Sequence, residues 1–167
     1  MANAASNRVN PRVVIIGAGM AGILTAIKLR EAGYDDYVIY EKTDRVGGTW
    51  RENTYPGVAC DVPAHGYTYS FEPNPEWSQT FAPGPEIHAY FENIARKYDV
   101  VRSIRFNEEV PHCEFRDGRW RLRTSSGRED VADVVVAATG VLHHPKLPDV
   151  EGLETFAGAA FHSARWD

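Results

Sequence analysis

The sequence predicts an α/β fold on a parallel sheet, from three observations. Apolar runs at residues 12–16, 37–41 and 132–137 read as strands buried on both faces. Amphipathic stretches lie between them, so strand and helix alternate. The first strand runs straight into a glycine-rich turn, Gly17-Ala-Gly-Met-Ala-Gly22, at the start of the first helical pattern.

The elements follow in order. After the glycines, Met20, Ile23, Leu24 and Ile27 recur at helical spacing, with Thr25, Lys28 and Glu31 facing away, until Gly33 stops the helix. The strand at 37–41 completes a βαβ unit of about 30 residues. From Gly47 to Gly84 no period is sustained, yet the stretch holds seven aromatic residues and five prolines. Loops this long are uncommon in compact domains, and the aromatics predict a segment packed for binding. Pro85 then opens a helix on which Ile87, Tyr90, Phe91, Ile94 and Tyr98 share a face. Short strands are expected at 103–106, 109–115, 119–124 and 128–131. The last three form a meander, since Asp117-Gly118 and Ser126-Gly127 supply the turns. The apolar strand at 132–137 ends in Ala138-Thr-Gly140.

Composition removes several function classes. The chain has 167 residues, enough for one domain with a core. A net charge of −5, with both signs mixed along the length, leaves no basic face for nucleic acid. The polar opening of residues 1–11 is expected to be a disordered tail. It lacks the apolar stretch of a secretory signal, and no apolar run approaches the ~20 residues of a membrane span. A cytoplasmic location is expected, with no membrane partner. Cys60 and Cys113 form no CxxC pair and read as free thiols. His143 and His144 lack the further ligands a metal needs, so no metal site is expected.

The glycine turn carries the chemistry. GxGxxG alone is a weak signal, but here it follows a buried strand, opens a helix, and precedes an acidic residue at the end of the next strand. Gly17 permits the tight turn, Gly19 lets a diphosphate approach the main chain, and Gly22 lets helix and sheet pack closely. The N–H groups at the helix start, Ala21 included, favour an anion there. Glu41, 19 residues beyond Gly22, is placed to accept from ribose hydroxyls and would repel a 2′-phosphate. The adenosine half therefore belongs to FAD or NAD. The glycine-rich loop after the second strand and the meander inserted before Ala138-Thr139-Gly140 favour FAD.

Two longer fingerprints carry a family resemblance. The first reads Gly47-Gly48-Thr49-Trp50, then Tyr55-Pro56-Gly57, then Asp61. The second is FxGxxxHxxxW[P/D], here Phe156, Gly158, His162, Trp166 and Asp167. With them the chain resembles the N-terminal part of a class B flavoprotein monooxygenase, and within that class a Baeyer–Villiger monooxygenase.

The resemblance implies a Rossmann-like FAD-binding domain over residues 12–142, with a parallel sheet and an inserted meander, and a linker over 143–167 that leads toward an NADP domain. In the family that domain follows, so the chain is expected to be truncated before it and inactive alone. The whole enzyme would take NADPH, O2 and a small-molecule ketone, and form an ester or lactone through a C4a-peroxyflavin. Asp61 is expected to support the reaction by holding an arginine that lies beyond Asp167. His162 is expected to act in the interdomain hinge rather than in proton transfer. The cofactor would be held by Gly17, Gly19, Ala21, Gly22, Glu41, Lys42, Gly48, Thr49, Trp50, Asp61, Val62, Tyr67, Val110, Ala138, Thr139 and Gly140. Among these, Thr49, Trp50 and Tyr67 would line the flavin ring, Lys42 would serve the adenosine ribose or phosphate, and Val110 the adenine. The family's last parallel strand arrives late in the chain, so an exposed sheet edge open to association is expected. Two alternatives remain: a standalone FAD-binding module that docks to a separate NADP-binding chain, and part of an enzyme that oxygenates nitrogen or sulfur.

Overall fold

The structure, a computed structural model, describes residues 10–142 and 144–166. Most of the expected N-terminal tail, His143 and the terminal Asp167 of the second fingerprint lie outside the described residues. Asn10, at the end of that tail, donates its side-chain amide to Asp35.

A four-stranded parallel sheet holds β1 (Val13–Ile16), β2 (Tyr37–Tyr40), β3 (Ile104–Arg105) and β7 (Val134–Ala137), in the order β3-β2-β1-β7. Strand β1 pairs with β2 from Val13↔Tyr37 to Ile16↔Tyr40, and with β7 from Val13↔Val134 to Ile16↔Ala137. Alternation explains why these strands read as continuous apolar runs. Val13, Ile15, Tyr37 and Ile39 join the core with the helices, whereas Val14, Val38 and Tyr40 join a second core on the other face. Strand β7 ends the sheet among the described residues, so its outer edge carries the expected open side.

The helix α1 (Met20–Glu31) crosses from β1 to β2 and buries Gly22, Ile23, Ala26 and Ile27. Full burial of each isoleucine contributes roughly 1.5–3 kcal/mol. Gly33 ends the helix at φ +81°, its N–H donating to the Arg30 carbonyl at 3.0 Å. Met20 departs from the expected apolar face. It is 40% exposed, because the helix start stands clear of the sheet where β1 ends.

The segment between Gly47 and Gly84 is irregular but ordered by local contacts. It holds the short α2 (Thr49–Glu52), a 3-10 turn at Ala64–Gly66 and isolated bridges Ala59↔Pro83 and Tyr69↔Glu72. Its aromatics differ in burial, and Phe81 stands 49% exposed. Tyr69 and Trp77 are buried against α3 (Gly84–Lys97), where Tyr69 meets Phe91 at 5.6 Å and Trp77 meets Tyr90 at 5.5 Å between ring centroids. Trp50 and Tyr67 remain half-buried.

An antiparallel meander of β4 (His112–Arg116), β5 (Arg119–Arg123) and β6 (Glu129–Ala132) packs Leu122 and Ala132 onto the second face of the parallel sheet. Asp117 at φ +52° and Gly118 at φ +78° form its first tight turn. Expected strand bounds shift for visible reasons. Strand β4 starts at His112 because Pro111 has no N–H for the ladder. Strand β3 shrinks to two residues because Val101–Ser103 winds into a 3-10 turn. Between β6 and β7, Asp133 bends out and donates its N–H to the Arg12 carbonyl at 2.9 Å. Beside it, Arg12 pairs with Asp36 at 2.7 Å and Asp130 at 2.8 Å, and Tyr40 donates to Asp130 at 2.8 Å.

No helix among the described residues is long and apolar enough to cross a membrane.

Candidate dinucleotide-binding site

The site is built where β1, β2 and β7 end. Gly17 sits at φ +103°, and a Cβ there would lie 2.5 Å from the Ala138 carbonyl oxygen. A Cβ on Gly22 would lie 1.9 Å from the Gly17 carbonyl oxygen. The first glycine therefore lets the strand turn beside Ala138-Thr139-Gly140, and the third lets helix α1 close against that turn. Thr139 and Gly140 are exposed, and Ala138 is half-buried and donates its N–H to Ile16 at 2.9 Å.

Gly19 faces Gly48. A Cβ on Gly48 would stand 3.2 Å from the Gly19 Cα, so the two main chains approach with no side chain between them. Among the described residues, the N–H groups of Gly19, Met20 and Ala21 make no hydrogen bond. They open the twelve-residue helix α1, so the positive end of its dipole is free for an anion.

Glu41 is buried, at 5% exposure, and already engaged. Its Oε2 accepts from the Ala18 N–H at 2.7 Å, and its Oε1 accepts from the Thr43 N–H at 2.9 Å and hydroxyl at 2.7 Å. The carboxylate thus shapes the glycine turn, and Oε2 keeps one lone-pair direction for a further donor. Lys42 forms an ion pair with Glu52 at 2.9 Å, which joins the segment after β2 to α2. Its ammonium is therefore shared with a carboxylate rather than held for a phosphate alone.

Trp50 and Tyr67 meet edge to face at 5.6 Å, and the indole donates to the Tyr67 hydroxyl at 3.1 Å. That hydroxyl lies 3.5 Å from the Met20 sulfur, and the neighbouring Tyr69 hydroxyl donates to the Met20 carbonyl. Burial pushes the Tyr69 phenol well above its usual range, so it acts as a donor throughout the neutral range. The two loop tyrosines thereby fasten the first turn of α1. Thr49 opens α2 directly after Gly48.

Asp61 and Val62 are exposed on a loop pinned at both ends, by Cys60 N–H to Ala82 at 3.1 Å and Ala64 N–H to Thr80 at 2.7 Å. Val110 packs in the second core beside Ile16 and Tyr40. His162 Nδ1 accepts from the Ala164 N–H at 3.0 Å and so caps its own short turn, beside the Phe161–Trp166 ring pair at 4.7 Å. Among the described residues, none of Asp61, Val62 and His162 hydrogen-bonds to the glycine turn. Sequence reading missed Glu52, Tyr69 and His88, which hold Lys42, Met20 and Val46. These contacts join residues that share no helical or strand period, and no local pattern marks them.

Comparison with known proteins agrees with this geometry. Residues 15–83 match the family described as NAD(P)-binding Rossmann-like domain. An uncharacterized monooxygenase of Mycobacterium tuberculosis is 54% identical over 157 residues, covering 94% of this chain and 32% of the relative. A Baeyer–Villiger monooxygenase of Streptomyces coelicolor is 49% identical over 158 residues, covering 93% of this chain and 30% of the relative. The crystal structure of OTEMO in complex with FAD and NADP superimposes with a TM-score of 0.85 at 34% identity, over 94% of this chain and 30% of that one. The chain spans about a third of the length of the curated relatives it matches. The glycine turn, the parallel sheet with its meander and these matches together make the chain similar to the N-terminal region of Baeyer–Villiger monooxygenases, with an NAD(P)-binding Rossmann-like match at its start.

Proposed function

We propose that the site holds the adenosine diphosphate half of FAD. The observation that carries this reading is the open first turn of α1, where unpaired N–H groups stand beside a glycine turn locked by Glu41. The diphosphate would lie on the Gly19–Ala21 N–H groups, with no lysine required. The free acceptor direction on Glu41 Oε2 would take a ribose hydroxyl, and a 2′-phosphate at that place would meet a carboxylate. Trp50, Thr49 and Tyr67 would face the flavin ring, and Val110 the adenine. Fit is supported by the close approach of Gly19 and Gly48, a cradle that a Cβ on either glycine would begin to fill.

When bound, FAD would supply electron transfer and oxygen activation. For the whole protein we propose NADPH- and O2-dependent conversion of a ketone to an ester or lactone. The Baeyer–Villiger monooxygenase of Streptomyces coelicolor and the FAD and NADP bound to OTEMO support this reading. Asp61 would position a basic partner from elsewhere in the protein, His162 would act in the movement that links the two cofactors, and the protein would work in the cytoplasm.

Titration of the purified chain with FAD, followed by flavin fluorescence, tests the binding step. Saturable FAD binding, with none of NADP, is expected; preference for NAD would replace the flavin reading. A longer protein containing this segment, given NADPH and oxygen, should turn a cyclic ketone into its lactone. Oxygenation of amines or sulfides alone would redirect the proposal. Association through the outer edge of β7 belongs to the same proposal, and gel filtration at rising concentration reads it.

A further inference from the structure

We infer that His88, on α3, is a positioning residue for the cofactor cradle and sets the shape of the Gly47–Gly48 turn. The inference rests on the reading of that turn as part of a flavin site. His88 Nε2–H donates to the Val46 carbonyl at 2.9 Å, directly before the two glycines. The imidazole also covers Gly47: a Cβ there would lie 2.4 Å from the ring Cδ2 and 2.8 Å from Nε2. From the other side, the Gly47 N–H donates to the Ala18 carbonyl at 3.1 Å, and Gly48 closes on the Gly19 main chain.

Gly47 at φ +121° and Gly48 at φ +52° are consecutive glycines, with little intrinsic preference for one conformation. Their shape is therefore decided by what grips them. The start of α2 holds their carbonyls, through the N–H groups of Trp50, Arg51 and Glu52; on the Gly47 N–H side the grip is Ala18, whose own N–H is bound by Glu41, and on the Val46 side it is His88. Val46 is buried, so without the imidazole its carbonyl has no water to replace the donor. One turn further along α3, Glu92 Oε1 lies 3.8 Å from Nε2, beyond a hydrogen bond, so the N–H stays with the Val46 carbonyl. A path of direct contacts thus runs from α3 through His88, Val46 and Gly47 to Ala18, inside the glycine turn. The histidine touches no cofactor on this account. It determines where Gly48 and Thr49 stand relative to Gly19.

The test compares the 167-residue chain with His88→Leu, which removes the donor, and His88→Gln, which retains one. Amide exchange at Gly47 and Gly48 is read without ligand, FAD affinity is read by titration, and thermal melting checks folding. His88→Leu should speed exchange at Gly47 about tenfold and weaken FAD about tenfold, the scale of one lost buried hydrogen bond, and His88→Gln should restore both to within about threefold. If the leucine variant fails to melt cooperatively, His88→Met serves as the donor-free variant. Wild-type exchange and affinity in the donor-free variant would overturn the inference, and so would a glutamine variant as impaired as the leucine one. A wild-type chain that takes no FAD but shows the expected exchange pattern would sink the flavin reading and support the role of His88 in the turn.

Discussion

Glu41 accepts the main-chain N–H of Ala18 at 2.7 Å, so the acidic residue that follows β2 and the glycine turn that follows β1 are one hydrogen-bonded unit. A carboxylate expected to wait for a ribose is already at work in the protein. Glu41→Ala would leave the buried Ala18 N–H and the part-buried Thr43 N–H without their acceptor, at a cost of about 1–3 kcal/mol. Glu41→Gln keeps a carbonyl oxygen for Ala18 and should lose less. Urea unfolding of the two variants measures the difference, and equal losses would argue that the carboxylate's charge, not its acceptor geometry, holds the turn.

Gly22 tests the turn from inside. With a Cβ only 1.9 Å from the Gly17 carbonyl oxygen, Gly22→Ala must push α1 away from β1 or distort the turn. The neighbour is main chain and cannot swing aside, so the cost should reach about 3 kcal/mol, the upper range for overpacking. A fall in melting temperature of roughly 6–12 °C would follow for a domain of this size. Gly57→Ala is the contrast, since no atom lies within 4 Å of a Cβ there and only its φ of +79° opposes the change.

These two positions also show what a sequence can reveal. The glycine offsets were legible because Gly17 and Gly22 answer main-chain requirements that no other residue meets, and Glu41 because a fixed strand length sets its distance from them. The apolar face of α3 was legible because burial in the core imposes the helical period on Ile87, Phe91 and Ile94. His88 sits on that same helix and was invisible, since its partner Val46 lies 42 residues away and no local pattern encodes the contact. Lys42, expected to serve the adenosine ribose or phosphate, has its ion-pair partner Glu52 on α2, a contact that no local pattern marks. The aromatic loop was legible as packed, but not as uneven in burial, because aromatic composition says that rings are buried and not against which element.

Tyr90 measures how firmly that loop is tied. Its hydroxyl accepts from the Tyr69 N–H at 3.0 Å and donates to the Glu72 carbonyl at 2.6 Å, so it closes the bend that carries Tyr67 and Tyr69 to Met20. Tyr90→Phe keeps the ring packing and removes both bonds, and should cost about 1–3 kcal/mol. Limited proteolysis should cut near residues 67–72 faster than in the wild type. Unchanged cutting with a lowered melting temperature would place the effect in the core instead.

The Arg12–Asp130–Tyr40 cluster gives the fold a dependence on pH whose sign is fixed by its contacts. Burial pushes the Asp130 carboxyl up, but hydrogen bonds from Arg12 and Tyr40 outweigh it and hold the group below its ordinary value of 3.8. A depressed folded value means that the unfolded chain takes up the proton first. The stabilisation from Asp130 is therefore complete above the unfolded pKa, about 3.9, and is lost as pH falls through the lower folded value. Tyr40 runs the other way. Burial first, and then its bond to Asp130, push the phenol from 10.0 to about 12. Its contribution is complete below pH 10 and is lost as pH rises through about 12. Asp130→Asn should be destabilised by about 1–2 kcal/mol at pH 7, with the partly exposed Arg12 screened by solvent. The gap to wild type should narrow below about pH 4, where the wild-type carboxylate is itself neutralised. Urea midpoints for both proteins between pH 7 and pH 2.5 decide it: parallel curves across that range would mean that packing around Asp130, and not its charge, ties the meander to β1.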